Sequence, residues 1–390
     1  MKSKRIESID LLRGIIMVIM ALDHTRDFFH VKAFESDPLD LATTTPILYA
    51  TRWVTHFCAP IFVFLSGLSA WLQSRRKSTK ELSSFLISRG IWLILVDLFV
   101  ITLLTSSNIY YEVFIIQVLW AIGISMAILG LLIWLPFPVI LGIGLVIVLG
   151  HNLIDFAEAG RTSYPVWWNL LHKQGGTPLW DGHYLFVVYP FLPWTGLMIM
   201  GYCLGVVFTS RTEEQRSRIL LVMGISLLVL FAVLRIPNLY GDPTPWTLQK
   251  TVLYDFLAVM DVRKYPPSML YMCATIGPAL IFLGLVKEVR GRLARVFVVF
   301  GRVPMFYYVL HFFTLCMLNL VLFFARGNTL EQGMKGAEGI PWKFLIPGQG
   351  YDLPMVYLIW LGLVMFLYPF CRAYDHYKTS RPGNKWLSYL

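Results

Sequence analysis

Long apolar stretches, separated by shorter polar or Pro- and Gly-rich ones, run along the whole chain. A helix needs about 20 apolar residues to cross a hydrocarbon core of roughly 30 Å. About ten stretches approach that length, and they predict membrane helices at 9–29, 48–73, 84–105, 111–134, 137–156, 185–209, 219–236, 266–286, 296–325 and 353–371. The stretch 296–325 is long enough for a tilted or broken helix. The pattern predicts an all-α, polytopic bundle in which 1–390 is a single integral-membrane domain.

Composition supports a membrane protein. The chain is 57% hydrophobic and 14% charged, with a mean hydropathy of +0.63, whereas soluble domains have roughly 45–50% apolar and about 25% charged residues. These values exclude a disordered chain and a nucleic-acid binder. The five cysteines show no Cys-x-x-Cys spacing and no His beside a Cys pair, so we expect neither structural zinc nor a disulfide framework. We expect no metal cofactor. The sequence contains no P-loop, Gly-x-Ser-x-Gly or His-Glu-x-x-His motif.

Basic residues fall in alternate loops, which predicts the orientation of the chain. By the positive-inside rule these loops and both termini are cytoplasmic. The basic residues concerned are Lys2, Lys4, Arg5, Arg75, Arg76, Lys77, Lys80, Arg211, Arg216, Arg218, Lys287, Arg290, Arg292, Arg295, Arg372, Lys378, Arg381 and Lys385. The opposite loops face an outer compartment, and their aromatic and polar residues could bind a sugar or mark the membrane interface. These residues include Trp167, Trp168, His172, Trp180, Asp181, His183, Asp242 and Trp246.

The first predicted helix carries an unusual set of ionisable residues, which makes it a candidate functional element. Arg13 and His24 are eleven residues apart, which places them within roughly 20° of one helix face and about 16 Å apart along the axis. Arginine suits a phosphate, and histidine exchanges protons near neutral pH. An acyl-CoA, with phosphates at one end and a thioester at the other, would fit that span.

Two carboxylates on this helix could fix the tautomer of the His24 imidazole. Asp27 lies three residues from His24 and therefore on nearly the same face; Asp23 is the other candidate. Alternatively, Arg13 extends to the cytoplasmic headgroups, and His24 belongs to a buried hydrogen-bond network with these aspartates.

The spacing Arg13-x10-His24 resembles the Arg-x10-His motif of integral-membrane acyltransferases. Further segments resemble bacterial membrane proteins grouped with the heparan-α-glucosaminide N-acetyltransferase catalytic domain. In chain order these segments are Asp23-His-Thr-Arg-Asp-Phe-Phe29, Cys58-Ala-Pro-Ile-Phe-Val-Phe-Leu-Ser-Gly67, Gln117-Val-Leu-Trp-Ala-Ile-Gly123, Lys264-Tyr-Pro-Pro-Ser268 and Gly301-Arg-Val-Pro-Met-Phe-Tyr-Tyr-Val-Leu-His311.

The resemblance implies a multi-pass protein of the bacterial inner membrane. It implies acetyl transfer from acetyl-CoA, as co-substrate, to a sugar amine or hydroxyl of a carbohydrate or glycoconjugate. The resemblance also implies an essential membrane histidine, which could correspond to His24, His30 or His56. The acceptor and the oligomeric state stay open.

Other polar residues are weaker candidates. His56 could orient the acceptor or the thioester, or could bond a carbonyl freed by Pro60. Lys264 and Tyr265, before a helix that we expect to begin at the following prolines, could contact the acceptor or anchor the chain at the interface. Arg26 is a further substrate-binding candidate.

Arg302 and His311 form a second Arg-then-His pattern. Their nine-residue spacing places them on opposite faces of a regular helix. Arg302 could meet the cofactor's phosphates, and His311 could contact the acceptor. Asp97 and Gln117 need partners in apolar surroundings, and we interpret Gln117 as structural.

The leading hypothesis is a transmembrane acyltransferase in which Arg13 holds a phosphate of acetyl-CoA. His24 would act as general base or carry the acetyl group. The main alternative is a proton-coupled transporter of a polar solute, in which the same buried residues relay protons. A third possibility is a scaffold that has lost catalysis.

Overall fold

The computed structural model describes residues 6–33, 35–336, 342–381 and 387 of the chain. These residues form two compact units, each built from segments that are separated in sequence. One unit comprises the described residues of 1–58, 99–114 and 288–390, and the other comprises 59–98 and 115–287. The predicted cytoplasmic residues Lys2, Lys4, Arg5 and Lys385 lie outside the described residues. The single domain over 1–390 stays a prediction.

The chain is predominantly helical. The α-helices are α1 (Glu7–Phe29), α2 (Pro46–Val54), α3 (Cys58–Ser74), α4 (Thr79–Leu95), α5 (Thr102–Ser106), α6 (Val118–Leu132), α7 (Phe137–Gly150), α8 (Asn152–Glu158), α9 (Val166–Leu171), α10 (Phe191–Ser210), α11 (Glu213–Arg235), α12 (Val252–Met260), α13 (Met269–Leu285), α14 (Arg292–Arg302), α15 (Pro304–Ala325), α16 (Leu330–Lys335) and α17 (Leu353–Ser380). A 3-10 turn, Thr55–Phe57, joins α2 to α3, and a π-helical segment, Val96–Ile101, joins α4 to α5. Three short strands, β1 (Val113–Ile116), β2 (Gly175–Pro178) and β3 (Tyr184–Val187), form a sheet in the order β1-β3-β2.

Within the described ranges, six helical spans are long and apolar enough to cross a membrane. They are Pro46–Ser74, Thr79–Ser106, Phe191–Ser210, Glu213–Arg235, Pro304–Ala325 and Leu353–Ser380. The pair α7 and α8, bent by 44°, would make a seventh. Helix α1 has 23 residues but carries six Asp, Glu or Arg side chains. The helical, multi-pass membrane class is therefore confirmed, while the count of ten and the cytoplasmic termini stay predictions.

Three local expectations were wrong or incomplete. The starts of the runs 111–134 and 185–209 are strands β1 and β3, because short runs of apolar β-branched and aromatic residues do not distinguish strand from helix by periodicity. The run 296–325 is broken at Val303, next to Pro304, which lacks an N–H and begins α15. The prolines of the Lys264–Ser268 segment precede α13 instead of opening it, since Ser268 is the N-cap and accepts from the Tyr271 N–H.

In the first unit, α1 packs against α14, α15 and α17. The contact with α14 is unusually close: a Cβ on Gly301 would lie 1.9 Å from the Asp10 carbonyl oxygen, and one on Gly14 would lie 1.8 Å from the Phe297 carbonyl oxygen. Only glycine permits this approach of the two backbones, as is typical of helix pairs in membranes. The contact positions the charged residues of α1 against the end of α14.

In the second unit, a buried carboxylate caps the N-terminus of a helix. Asp97 is fully buried and accepts hydrogen bonds from the backbone N–H groups of Gln117 and Trp120, at 2.7 and 2.8 Å. These donors belong to the N-terminus of α6, where N–H groups lack partners within the helix. Asp97 therefore caps α6 from a neighbouring segment, and Gln117 contributes through its backbone.

Candidate active site

Two histidines from α1 and α15 meet inside the first unit. The Nδ1 of His24 lies 2.6 Å from the Nε2 of His311, and the imidazole rings stack with centroids 4.9 Å apart. His311 is fully buried, whereas His24 is partly exposed. The ring of Phe312 stacks on His24 with centroids 4.3 Å apart. The pair thus presents one accessible imidazole supported by a second that is inaccessible.

The partners of His311 fix the tautomers of the neutral pair. The Nδ1 of His311 lies 3.1 Å from the carbonyl oxygen of Tyr307. A carbonyl only accepts, so this nitrogen carries the proton and the Nε2 of His311 carries the lone pair. The Nδ1–H of His24 therefore donates to His311. It follows that the Nε2 of His24 holds the lone pair that a base or a nucleophile needs.

The carboxylates that were expected to orient His24 pair with arginines. Asp23 lies 2.6 Å from an Nη of Arg52 and 3.1 Å from an Nη of Arg26. Asp27 lies 2.5 Å from the same Nη2 of Arg26. The side chains of Asp23, Arg26 and Arg52 are 11, 5 and 14% exposed. This network fixes α1 to α2 beside the histidine pair.

Arg26 has donors beyond these ion pairs. Within the described part of the chain, its buried Nε and Nη1 atoms have no hydrogen-bond partner. A buried guanidinium normally satisfies its five N–H donors. The remaining donors could hold a polar or anionic group.

At the other end of α1, two arginines lie beside the contact between α1 and α14. Arg13 donates to the carbonyl oxygen of Gly301 at 3.1 Å and pairs with Asp10 at 3.3 Å. The next residue, Arg302, lies 3.7 Å from Glu7 and 3.5 Å from Asp375. The structure therefore brings together two arginines that are far apart in sequence. Because the chain breaks at Val303, Arg302 and His311 do not lie on one regular helix.

The other two histidines considered from sequence, His30 and His56, also belong to the first unit. His56 is buried in the 3-10 turn, and its Nδ1 lies 3.1 Å from the Arg52 carbonyl oxygen. His30 is the C-cap of α1 and is half-buried. The pKa of His30 is lowered from its ordinary value, because burial disfavours the charged imidazole and the positive charge of Arg26 adds to this effect.

Lys264 and Tyr265 belong to the second unit. Lys264 is 6% exposed, and its Nζ lies 5.2 Å from the ring centroid of Tyr265. The Tyr265 hydroxyl donates to that of Tyr189 at 3.3 Å. This is an internally packed segment before α13.

Sequence reasoning missed the pairing of His24 with His311 and the role of Arg52. Arg52 follows an apolar stretch on α2, and an arginine in such a place needs a carboxylate partner. That signal could have linked it to Asp23 or Asp27. No local signal joins residues 24 and 311, which are 287 positions apart.

Comparison with known families gives one assignment. Residues 5–236 match the family described as Heparan-alpha-glucosaminide N-acetyltransferase, catalytic. A comparison with curated proteins finds no match. The matched region contains Arg13, His24 and Arg52 and ends before Lys264 and His311. Because the match covers more than half of the chain, the protein belongs to the heparan-alpha-glucosaminide N-acetyltransferase catalytic-domain family of membrane acyltransferases.

Proposed function

We propose that this protein transfers an acetyl group from cytoplasmic acetyl-CoA to an amine or hydroxyl of a carbohydrate or glycoconjugate at the outer face of a bacterial inner membrane. The observation that carries the proposal is the contact between His24 and His311, with its fixed tautomers. The Nε2 of His24 would remove the proton of the attacking group, or would take the acetyl group and pass it on.

His311 acts through His24 in this proposal and is therefore a positioning residue, in place of the acceptor contact expected from sequence. It accepts the Nδ1–H of His24 and so keeps the Nε2 of His24 unprotonated. When His24 gains a proton or an acetyl group, its positive charge is stabilised by the lone pair of His311. A stacked and buried partner holds the imidazole in one orientation, which favours reaction.

Arg13 and Arg302 are the proposed phosphate contacts. Both reach the same end of α1, and a planar guanidinium binds phosphate in a bidentate manner. Their carboxylate neighbours Asp10, Glu7 and Asp375 partly offset this charge. Phosphate binding would therefore require the arginines to exchange carboxylates for phosphates.

Arg26 is the proposed acceptor contact. Its side chain is 5% exposed, and its Nε and Nη1 donors could hold a hydroxyl or carboxylate of the acceptor beside His24. Asp23 and Asp27 would act by holding Arg26 in place. His56, Lys264 and Tyr265 stay weaker candidates for acceptor contacts.

The transporter alternative is not favoured, because the family is one of acetyltransferases. It predicts solute flux that depends on pH and is independent of acetyl-CoA. In that case the buried Asp, Arg and His residues would relay protons instead of orienting a general base.

The test measures binding and transfer separately on the detergent-purified chain. Acetyl-CoA binding is followed by isothermal titration calorimetry with CoA as a control. Transfer of radiolabelled acetyl is followed with amino sugars and neutral sugars. We expect His24→Ala to lower the transfer rate by about 10²–10⁴-fold with little change in acetyl-CoA affinity, and added imidazole to restore part of the rate. Arg13→Ala should chiefly weaken binding.

His376→Ala is the matched control, because His376 is exposed on α17 in the same unit. His311→Asn, which keeps a polar side chain that can accept the His24 N–H, should lower kcat less than His311→Ala. Normal transfer by His24→Ala would refute the mechanism. Absence of acetyl-CoA binding at millimolar ligand, together with pH-coupled solute uptake, would favour the transporter.

A further inference from the structure

A second cluster of titratable residues lies in the second unit, around the junction of α7 and α8. One ligand atom from each of Asp155, Glu158 and His172 lies within 4.8 Å of the others. A fourth residue, His151, occupies the junction itself, where the two helices are inclined by 44°. Its Nδ1 lies 3.4 Å from the Nε2 of His172. The proposed acyl-transfer mechanism uses none of these residues.

Glu158 supports the cluster without offering a free oxygen. Its Oε1 accepts from the Nδ1–H of His172 at 2.9 Å and from the Trp168 indole N–H at 2.8 Å, while its Oε2 pairs with Lys173 at 3.2 Å. Because the Nδ1 of His172 donates to a carboxylate, the Nε2 of His172 carries the lone pair. This carboxylate–histidine arrangement is the usual outer shell of a metal-binding histidine.

The separation of the two histidine nitrogens fits a shared cation better than a hydrogen bond. An N–H···O hydrogen bond normally spans about 2.7–3.2 Å, so a separation of 3.4 Å between the two ring nitrogens is long for a hydrogen bond. Two ligands of a tetrahedral Zn²⁺, each about 2.0–2.1 Å from the ion, lie roughly 3.3–3.4 Å apart. The Nδ1 of His151 and the Nε2 of His172 are therefore spaced as two ligands of one ion.

Two buried polar atoms in the cluster have no hydrogen bond within the described ranges. The Oδ1 of Asp155 has no hydrogen bond, although its side chain is 7% exposed and its Oδ2 accepts from Asn152 at 2.8 Å. His151 is 3% exposed, and its Nε2 also has no hydrogen bond. Buried polar groups normally have partners. A carboxylate oxygen of Asp155 lies within 4.8 Å of a ring nitrogen of His172, so Asp155 is the third donor that we assign to an ion between the histidines.

The charge of the cluster and its access from solvent are compatible with a bound cation. The carboxylates of Asp155 and Glu158 are buried, whereas the neighbouring cations, Lys173 and Arg263, are 26 and 34% exposed at the rim. Arg263 lies 3.7 Å from Asp155 Oδ1, so it would compete with a bound ion. Asp155 also lines a cavity of about 310 Å³, which gives an ion a path from solvent.

We propose that this cluster is a zinc site with three protein ligands and one open position. His151 Nδ1, His172 Nε2 and Asp155 Oδ1 are the protein ligands, and a water completes the tetrahedron; Glu158 orients His172. Two imidazoles and one carboxylate are a donor set that Zn²⁺ accepts readily. The ion would join α8 to the end of α9, so its role is to hold the segment 151–172 in place.

The experiment uses the full chain, purified in detergent with a tag that contains no histidine and stripped with a chelator. Zinc binding is measured by calorimetry and by metal analysis after desalting, and Co²⁺ is used as a spectroscopic probe. We expect one zinc per chain, a higher melting temperature with zinc, and the visible absorption of tetrahedral Co²⁺. Acetyl-CoA binding and transfer are not needed as readouts, so this proposal and the proposed function fail independently.

Four variants separate a metal site from an ordinary polar network. His172→Ala should abolish stoichiometric binding, and Glu158→Gln should weaken affinity by about 10–100-fold. Arg263→Gln should tighten binding, because it removes the competing cation. His183→Ala is the control, because His183 lies between β2 and β3 and outside the cluster. Its Nδ1 lies 2.9 Å from the Asp181 carbonyl oxygen.

Zinc affinity that is unchanged in both His172→Ala and Glu158→Gln would overturn the proposal, as would a wild-type chain that binds no zinc at micromolar concentration. If His172→Ala does not fold, Glu158→Gln and Arg263→Gln still decide the question, because the proposal predicts opposite changes in zinc affinity for them.

Discussion

The close contact between α1 and α14 makes Gly301→Ala a sharp test of the first unit. The added Cβ would lie 1.9 Å from the Asp10 carbonyl oxygen, whereas real Cβ contacts stay above 3.0 Å, so the backbones must separate by about 1.1 Å. The obstructing atom belongs to a backbone and cannot rotate away. Overpacking of this kind destabilises a protein by about 1–3 kcal/mol or more.

The gain in helix propensity from Gly to Ala, about 1 kcal/mol, offsets part of this loss. The separation also moves the Gly301 carbonyl, which accepts from Arg13 at 3.1 Å. We therefore expect Gly301→Ala to lower the melting temperature in detergent and to weaken acetyl-CoA binding in the same preparation.

Gly362→Ala is the matched control. Gly362 lies in α17 of the same unit, and a Cβ there would meet no atom within 4 Å. This variant should melt at or slightly above the wild-type temperature, because the gain in helix propensity from Gly to Ala is its only effect. Equal melting temperatures for Gly301→Ala and Gly362→Ala would show that the two backbones do not approach as described.

Two further predictions concern buried carboxylates. Asp23→Asn removes the anion that Arg52 and Arg26 share, although Arg26 keeps Asp27. We expect a loss of about 3 kcal/mol, the lower end for breaking a buried ion pair, measured by unfolding in detergent. Replacing Arg52 by Gln in the same chain should recover part of the loss, and an Asp23→Asn variant as stable as wild type would contradict the network. Asp97→Ala removes the acceptor for two backbone N–H groups of α6 and should lower stability by about 1–3 kcal/mol. Asp97→Asn keeps an acceptor and should lose less, so equal losses would argue against the capping role.

Much of the helical layout could be predicted from hydrophobicity alone. Predicted runs such as 219–236 and 353–371 correspond to α11 and α17, because a long apolar stretch in a bilayer has few alternatives to a helix. Shorter elements were less predictable: the apolar residues of β1 and β3 were assigned to helices. The break at Val303 was allowed for by the length of its run, and only the structure located it.

The first helix shows what helical periodicity within one segment can predict. Helical periodicity placed Arg13 and His24 on one face of α1, and membrane energetics identified both as functional candidates. The same reasoning placed Arg302 and His311 on opposite faces of one helix, which was wrong because the chain turns at Val303 between two helices. A spacing rule holds only while the helix that it assumes is continuous.

By itself, the sequence determined the class of protein: its apolar runs require helices in a membrane, and its motifs resemble those of the family that the comparison assigns. Tertiary structure alone decided which polar groups are in contact. His24 contacts His311, Asp23 forms an ion pair with Arg52, and His151 lies next to His172. The physical reason is that hydrophobicity and helical periodicity act within one segment. The partner of a buried charge or imidazole depends on how separate helices pack, and that packing here relies on contacts such as Gly14 with α14.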